Sequence, residues 1–353
     1  MAELEHRLTG SSQASRLKPE LAGVIPDRRN YVLVVIDGLG ADQLNSHSQI
    51  RALREAHLGT LATTFPSTTA VALSSISTGL TPLSHGVLGY LQWFPHLRQV
   101  GNLLSWKNTT TGQHLAVDPT GFLPTPNLWE RLASHNILTC VYLPEELMSG
   151  SMTRMLYRGA ETIPYRTPTD INPHHHTSSD NPTLIVVYTK QIDTAAHLTG
   201  QHSPQYHLAV EATNSLWARL ARRLPPDTTL IGTADHGHID IHPDGKFRLA
   251  TSALRGTNWW GDNRTLMLGG PNATAQATHI ARRTGAQLLT TSQLQHWLGT
   301  GTPHPELEQR LPDATLLAPP ATVIYPYNIP TSMIGHHGGA TTKEMLIPLL
   351  TGP

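Results

Sequence analysis

Thr64, in Thr63-Thr64-Phe65-Pro66-Ser67-Thr68-Thr69, is accompanied along the chain by Asp and His residues at suggestive spacings. Asp37 closes an apolar run in Val34-Val35-Ile36-Asp37-Gly38, and Asp193 and His197 lie four apart. Asp235 and His236 are adjacent, and His336-His337 precede Gly338-Gly339. A threonine hydroxyl is a weak nucleophile by itself. Asp and His suit zinc and related divalent ions, and a metal-coordinated hydroxyl gives up its proton more readily. A four-residue spacing puts both side chains on one helical face, and Gly237 lets the backbone turn after His236. Any one of these residues alone reads as structural. The ordered set predicts metal ions that activate Thr64.

The elements that must position them follow from hydrophobic runs. Short apolar, β-branched segments at 31–36, 137–142, 183–188, 229–233 and 345–350 predict buried strands of a mostly parallel sheet. Helix-like stretches alternate with them, which predicts a three-layer α/β/α sandwich. Ligands in such sheets bind beyond the carboxyl ends of the strands, where Asp37, Asp193 and Asp235 all fall. A helix over 67–78, with Pro66 in its first turn, would set the Thr64 hydroxyl at a helix N-terminus suited to phosphate. Ser203-Pro204 opens another helix, with Leu208, Ala212, Leu216, Leu220 and Leu224 at fourfold spacing. Residues 1–27 read as an N-terminal arm and 28–353 as the catalytic domain. Within it, the Thr-, Gly- and Pro-rich 245–330 reads as a small inserted cap subdomain. Aromatic residues available to stack on a base or aryl group are Tyr90, Trp93, Phe94, Trp106, Trp259 and Trp260, the last two in a turn-like setting with Arg264 nearby to contact phosphate.

Composition narrows the class. The chain has 353 residues with 25 basic and 25 acidic side chains, so no basic field points to a nucleic-acid polymer or a membrane surface. Charged residues make up 14%, below the roughly 25% usual for globular proteins. The 21 histidines read mostly as surface residues, including His174-His175-His176 in a loop that runs on to Ser179. The single cysteine, Cys140, lies in an apolar run and reads as a buried structural thiol. Met1 to Arg7 lacks an apolar signal core, and no apolar run approaches the ~18–20 residues of a membrane span. The expectation is a cytoplasmic protein acting on a small molecule.

Five segments carry a family resemblance: VVIDGLG at 34–40, TTFPSTTAVALSSISTGLTPLSHGVLGY at 63–90, YTKQIDTAAHLTG at 188–200, TADHG at 233–237 and GHHGGATTKEMLIPLL at 335–350. In this order they resemble the alkaline phosphatase superfamily, closest to its nucleotide pyrophosphatase/phosphodiesterase branch. The resemblance implies two divalent ions about 4 Å apart, usually zinc, with manganese or iron also suited to the ligands. It implies that Asp37, Thr64, Asp235 and His236 hold one ion and that Asp193, His197 and His337 hold the other. His337 is chosen over His336 because it directly precedes Gly-Gly. The implied reaction is in-line displacement through a phosphothreonine at Thr64, cleaving phosphodiester or pyrophosphate bonds of a nucleotide-like substrate. The chain departs from the branch where nucleotide-cleaving members carry Lys before the nucleophile, here Thr63. It departs again after Ser84-His85-Gly86, where Tyr90 falls near the position of a phosphate-binding Asn. A phosphomonoesterase or phosphonate hydrolase with the same site is the alternative, and an inactive metal- or substrate-binding homologue is a third. No sulfatase motif is present.

Overall fold

The computed structural model describes residues 1–47, 50–177 and 180–352. Its main sheet has seven strands in the order His57–Ala62, Leu346–Thr351, Thr228–Thr233, Asn30–Ile36, Thr183–Thr189, Leu138–Pro144, Glu161–Tyr165. Only Leu346–Thr351 runs against the rest. The five strands predicted from apolar runs are all present. Two others, His57–Ala62 and Glu161–Tyr165, are the sheet's edges, and their half-exposed residues lack a continuous apolar signature.

Alternation along the central strands explains the three layers. Tyr31, Leu33, Val35, Leu184 and Val186 enter one core together with Val71 and Leu128 from helices. Val32, Val34, Ile36, Ile185 and Val187 enter the core on the other face, with Leu44, Leu216 and Leu220. Both faces are covered, as a parallel sheet requires. The long helix Pro204–Arg223 is capped by Ser203, whose hydroxyl accepts from the Tyr206 amide at 3.1 Å. Its buried stripe is Tyr206, Val210, Thr213, Leu216, Trp217 and Leu220, while Leu208 is exposed. A strict fourfold repeat drifts by about 40° per step around a 3.6-residue helix, so it leaves the core within two turns.

A second, antiparallel sheet of seven strands runs Gln287–Leu289, Ala314–Leu317, Thr265–Gly269, Asn258–Gly261, Leu91–Phe94, Gln99–Asn102, Lys107–Asn108. Four of these strands come from 245–330, and three from residues 91–108. At the N-terminus, helix Ala2–Thr9 buries Leu4 in the core, and Arg131 pairs with Glu5 at 2.6 Å, so this part of 1–27 is docked. His174–Thr177 forms a short helix where the sequence suggests loop, closed by the Thr177 hydroxyl donating to the His174 carbonyl at 3.1 Å. Ser178 and Ser179 of that reading lie outside the described residues. Among the described residues no helix is long and apolar enough to cross a membrane.

Two sequence expectations are corrected here. Trp259 and Trp260 lie in a strand, buried among Leu249, Leu266 and Met267 rather than in an open turn, and Trp260 stacks on Trp93 at 5.8 Å. Phe94 and Trp106 likewise pack against Phe122 in the core. Arg264 is fully buried: Nε and Nη2 donate to Glu344 at 2.9 and 2.8 Å, and Nη1 donates to the carbonyls of Pro319 (2.7 Å) and Thr322. All three guanidinium nitrogens are occupied in tying the second sheet to the segment behind His337. Replacing Glu344 by Ala strands a buried guanidinium and should lower unfolding free energy by about 3–5 kcal/mol. Urea denaturation measures this, and a loss under ~1 kcal/mol would deny the pair that role.

Candidate active site

Three strand ends deliver three carboxylates to one place. Asp37 follows Asn30–Ile36, and its amide donates to Thr189 O at 2.9 Å. Asp193 lies in the first turn of helix Gln191–Thr199, which follows Thr183–Thr189. Asp235 comes two residues after Thr228–Thr233, and its Oδ1 accepts from the amides of Gly38 (3.1 Å) and His236 (2.9 Å). Gly38 has φ of 79°, and a Cβ there would meet His238 at 2.8 Å and the Asp193 Cα at 3.0 Å. Only glycine lets these turns approach so closely.

Two clusters result. In one, His236 Nε2 lies 3.4 Å from Asp37 Oδ1 and 3.5 Å from Asp235 Oδ2. Asp37 Oδ1, Asp235 Oδ2 and the Thr64 Oγ are buried without any hydrogen-bond partner. Buried polar atoms are rarely left this way, and a divalent cation beside His236 satisfies both carboxylate oxygens at once. In the other cluster, Asp193 Oδ1 lies 3.2 Å from His197 Nε2, 2.8 Å from His238 Nε2 and 3.8 Å from His337 Nε2. His197 and His337 present their Nε2 atoms to each other at 3.2 Å, while their Nδ1 atoms face the carbonyls of Gly335 (2.8 Å) and Ser67 (3.0 Å). Nitrogens sharing one tetrahedral zinc would be about 3.3 Å apart, and carbonyls on the far nitrogens fix the rings for ligation. The residues present therefore fit two cations.

The electrostatics agree. Burial raises Asp37 well above the usual carboxylate range, and Asp193 and Asp235 add to the shift. Burial also raises Asp235, opposed by His236. At Asp193 burial is outweighed by His197 and His238, which hold its carboxyl well below that range. Burial and then His236 push His337 well down, and burial takes His238 to about 4.

The sequence-predicted Asp37, Asp193, His197, Asp235, His236 and His337 converge as described. His336 turns away, its Nε2 lying 3.0 Å from the Tyr325 hydroxyl. The helix after Thr64 begins at Thr69 rather than 67, so Pro66 precedes it; its first residue reaches the site, Thr69 Oγ lying 3.1 Å from His236 Nε2. Tyr90 is half-buried within the electrostatic reach of Asp262 and Tyr325, and burial raises its hydroxyl pKa. His238, Asp262 and Trp297 escaped the sequence reading. His238 is visible as the second His of Asp235-His236-Gly237-His238, one residue beyond the matched motif. Asp262, pushed up to about 6 by burial, directly follows the strand Asn258–Gly261, which was read as a turn.

Beside the site lies a cavity of about 530 Å³ lined by Thr63, Thr64, Phe65, Trp297, Ala340 and Met345 among others. Trp297 is 38% exposed and meets Phe65 edge-on at 4.8 Å. No Lys or Arg is among its lining residues.

Residues 31–340 match the family described as type I phosphodiesterase/nucleotide pyrophosphatase. The chain belongs to this family, a branch of the alkaline phosphatase superfamily, and is thereby a phosphoester hydrolase. No curated protein matches it. Among solved structures it is similar to murine ectonucleotide pyrophosphatase/phosphodiesterase 5, at TM-score 0.71 and 15% identity over 92% of this chain and 88% of that one. An inactive form of the murine protein in complex with AMP matches at TM-score 0.70 and 14% identity, over 92% and 87%. Phosphonoacetate hydrolase from Sinorhizobium meliloti, in complex with phosphonoacetate, matches at TM-score 0.68 and 14% identity, over 93% and 91%. At such identities the likeness is one of fold.

Burial raises Asp37 and Asp235 and one oxygen of each is left unpaired, which opposes folding, so cation binding should stabilise the protein. Metal-stripped protein given Zn²⁺ at ~100 times its dissociation constant should gain about 2.7 kcal/mol, seen as a higher thermal midpoint that chelator reverses. An unchanged midpoint across a zinc titration would count against both clusters.

Proposed function

We propose that the protein hydrolyses phosphodiester or phosphoanhydride bonds of nucleotide-like substrates, with Thr64 as nucleophile. The carrying observation is the buried, unpartnered Thr64 hydroxyl on a cavity walled by Phe65 and Trp297, in a segment tied to the Asp235 carbonyl through Thr63, together with the unpartnered oxygens of Asp37 and Asp235. Asp37, Thr64, Asp235 and His236 would hold one divalent ion, zinc by the chemistry of the donors, and Asp193, His197 and His337 the other. When bound, the ions supply Lewis acidity that favours the Thr64 alkoxide and neutralises charge on the phosphoryl oxygens.

The chain's own residues do the rest. Thr64 Oγ forms a bond to phosphorus as the bond to the leaving oxygen breaks on the opposite side. The Thr64 proton departs with the leaving alcohol or phosphate; water then cleaves the phosphothreonine, its hydroxyl going to phosphorus and its proton to Thr64. His238, donating to Asp193, orients that carboxylate. Tyr188 does the same by donating to Asp37 Oδ2, which leaves Oδ1 directed to the cation.

The cavity favours a diester or anhydride over a small dianion. A monoester or a carboxylated phosphonate brings extra negative charge, and no Lys or Arg lines the cavity to meet it. An aromatic wall instead suits a planar base or aryl group, worth roughly 1–3 kcal/mol per stacked base.

Thr64→Ala should lower turnover of an aryl phosphodiester by ~10⁴-fold or more while the cluster of Asp193, His197 and His337 keeps its ion. Activity within tenfold of wild type would remove Thr64 from the chemistry, and a clear preference for aryl monoesters over diesters would overturn the substrate class. Trp297→Ala should reduce kcat/KM for a dinucleotide by ~5–150-fold. An equal loss on bis-methyl phosphate, which has no ring to stack, would show that Trp297 acts on folding instead.

A further inference from the structure

A third group of metal-binding side chains lies away from this site. Cys140, Glu161 and His176 bring Sγ, a carboxylate oxygen and Nδ1 within 4.8 Å of one another. Cys140 Sγ is 3.6 Å from Glu161 Oε2 and 3.4 Å from His176 Nδ1. Zinc bonds to sulfur at ≈ 2.3 Å and to nitrogen or oxygen at ≈ 2.0–2.2 Å, so two such ligands at a tetrahedral ion stand about 3.5 Å apart. Both measured edges agree with that figure.

The fold builds this group deliberately into its frame. Cys140 and Glu161 are register partners on adjacent parallel strands, so their side chains leave the same face of the sheet. His176 comes down from the short helix His174–Thr177. That helix is pinned to the sheet at two points: the Thr183 hydroxyl donates to the His176 carbonyl at 3.2 Å, and Asn30 Nδ2 donates to the Thr177 carbonyl at 3.3 Å. Cys140 is buried and Glu161 exposed, so the group has a dry thiol end and a wet carboxylate end. Glu161 belongs to the edge strand Glu161–Tyr165, which pairs on one side only. Cys140 registers with Ile185, and Ile185 with Val32, five residues before Asp37. The group therefore lies about 16 Å along the strands from the catalytic carboxylates, too far to share their ions.

We propose that Cys140, Glu161 and His176 form a separate, structural zinc site that fastens the edge strand and the His174–Thr177 helix to the sheet. Thiolate, imidazole and carboxylate form a donor set suited to Zn²⁺, and water at the exposed end completes four-coordination. Binding exchanges the thiol proton for the metal: the Cys140 S–H loses H⁺ to solvent as the S–Zn bond forms, with no change of oxidation state.

The test exploits the fact that Cys140 is the chain's only cysteine. The full-length, reduced protein is loaded with Co²⁺, and the near-ultraviolet thiolate-to-cobalt charge-transfer band is titrated. The catalytic clusters contain no sulfur, so the band reports this site alone. Wild type and Thr64→Ala should both show it, and Cys140→Ser should lose it together with one equivalent of bound zinc while keeping wild-type phosphodiesterase turnover. His176→Ala and Glu161→Gln should each weaken Co²⁺ at this site by ~100-fold or more, beyond the usual cost of losing an outer partner. No band at saturating Co²⁺ would overturn the proposal, as would a band indifferent to both His176→Ala and Glu161→Gln.

Discussion

The arrangement depends on three carboxylates that the main sheet buries within one small volume. Asp37, Asp193 and Asp235 leave neighbouring parallel strands at the same edge, where desolvation opposes charge on all three and repulsion from the other carboxylates adds to it at Asp37 and Asp235. The fold answers with fixed donors on one side of each group. Backbone amides hold Asp235 Oδ1, Tyr188 holds Asp37 Oδ2, and His197 and His238 face Asp193. What stays unpaired is the inward oxygen of Asp37 and that of Asp235, with the Thr64 hydroxyl. Two unpaired carboxylate oxygens thus remain on either side of His236, where a cation fits.

The second sheet serves a different end. Its buried tryptophans and the Arg264–Glu344 pair lock the segment that carries His337 against the main sheet. Gly338, at φ 100°, and Gly339 sit where a side chain would strike Asp262 or the Arg264–Glu344 pair. The glycines after His337 are therefore a packing requirement of the second sheet as much as a feature of the metal ligand. That sheet also carries Asp262 to the neighbourhood of Tyr90 and His197, which links its register to the electrostatics of the site.

Much of this was legible because burial on both faces writes continuous apolar runs, as in Asn30–Ile36 and Thr183–Thr189. The edge strands His57–Ala62 and Glu161–Tyr165 are half wet and carry no such run. Asp193 and His197 were legible through helical spacing, whereas Gly237 serves close packing, since a Cβ there would strike the Lys343 carbonyl. Arg264 was misread because its partner lies 80 residues away, and sequence distance conceals a buried ion pair. Trp297 went unnoticed for the converse reason. Its value lies in exposure beside Phe65, which composition does not report, whereas Trp259 and Trp260 attracted attention as a pair and proved to be core.

On the proposed function, substrate choice would follow from where positive charge is absent. The site's own cationic potential resides in imidazoles facing carboxylates, and the cavity beyond Thr64 offers none from Lys or Arg. A phosphoryl group entering it must have its charge met by whatever Asp37, Asp193 and Asp235 hold in place. A diester carries a single negative charge on the reacting phosphoryl group and devotes its remaining surface to two organic substituents. One of these finds an apolar wall at Phe65, Trp297, Ala340 and Met345, where burial of a ring is favourable without any counter-charge. Thr63 belongs to the same economy of charge. Where a lysine would reach toward phosphate, its hydroxyl donates to the Asp235 carbonyl and steadies the strand exit. On the proposed function, the chain would exchange a substrate-binding cation for rigidity at the Asp235 turn and leave selectivity to the shape and apolarity of the cavity.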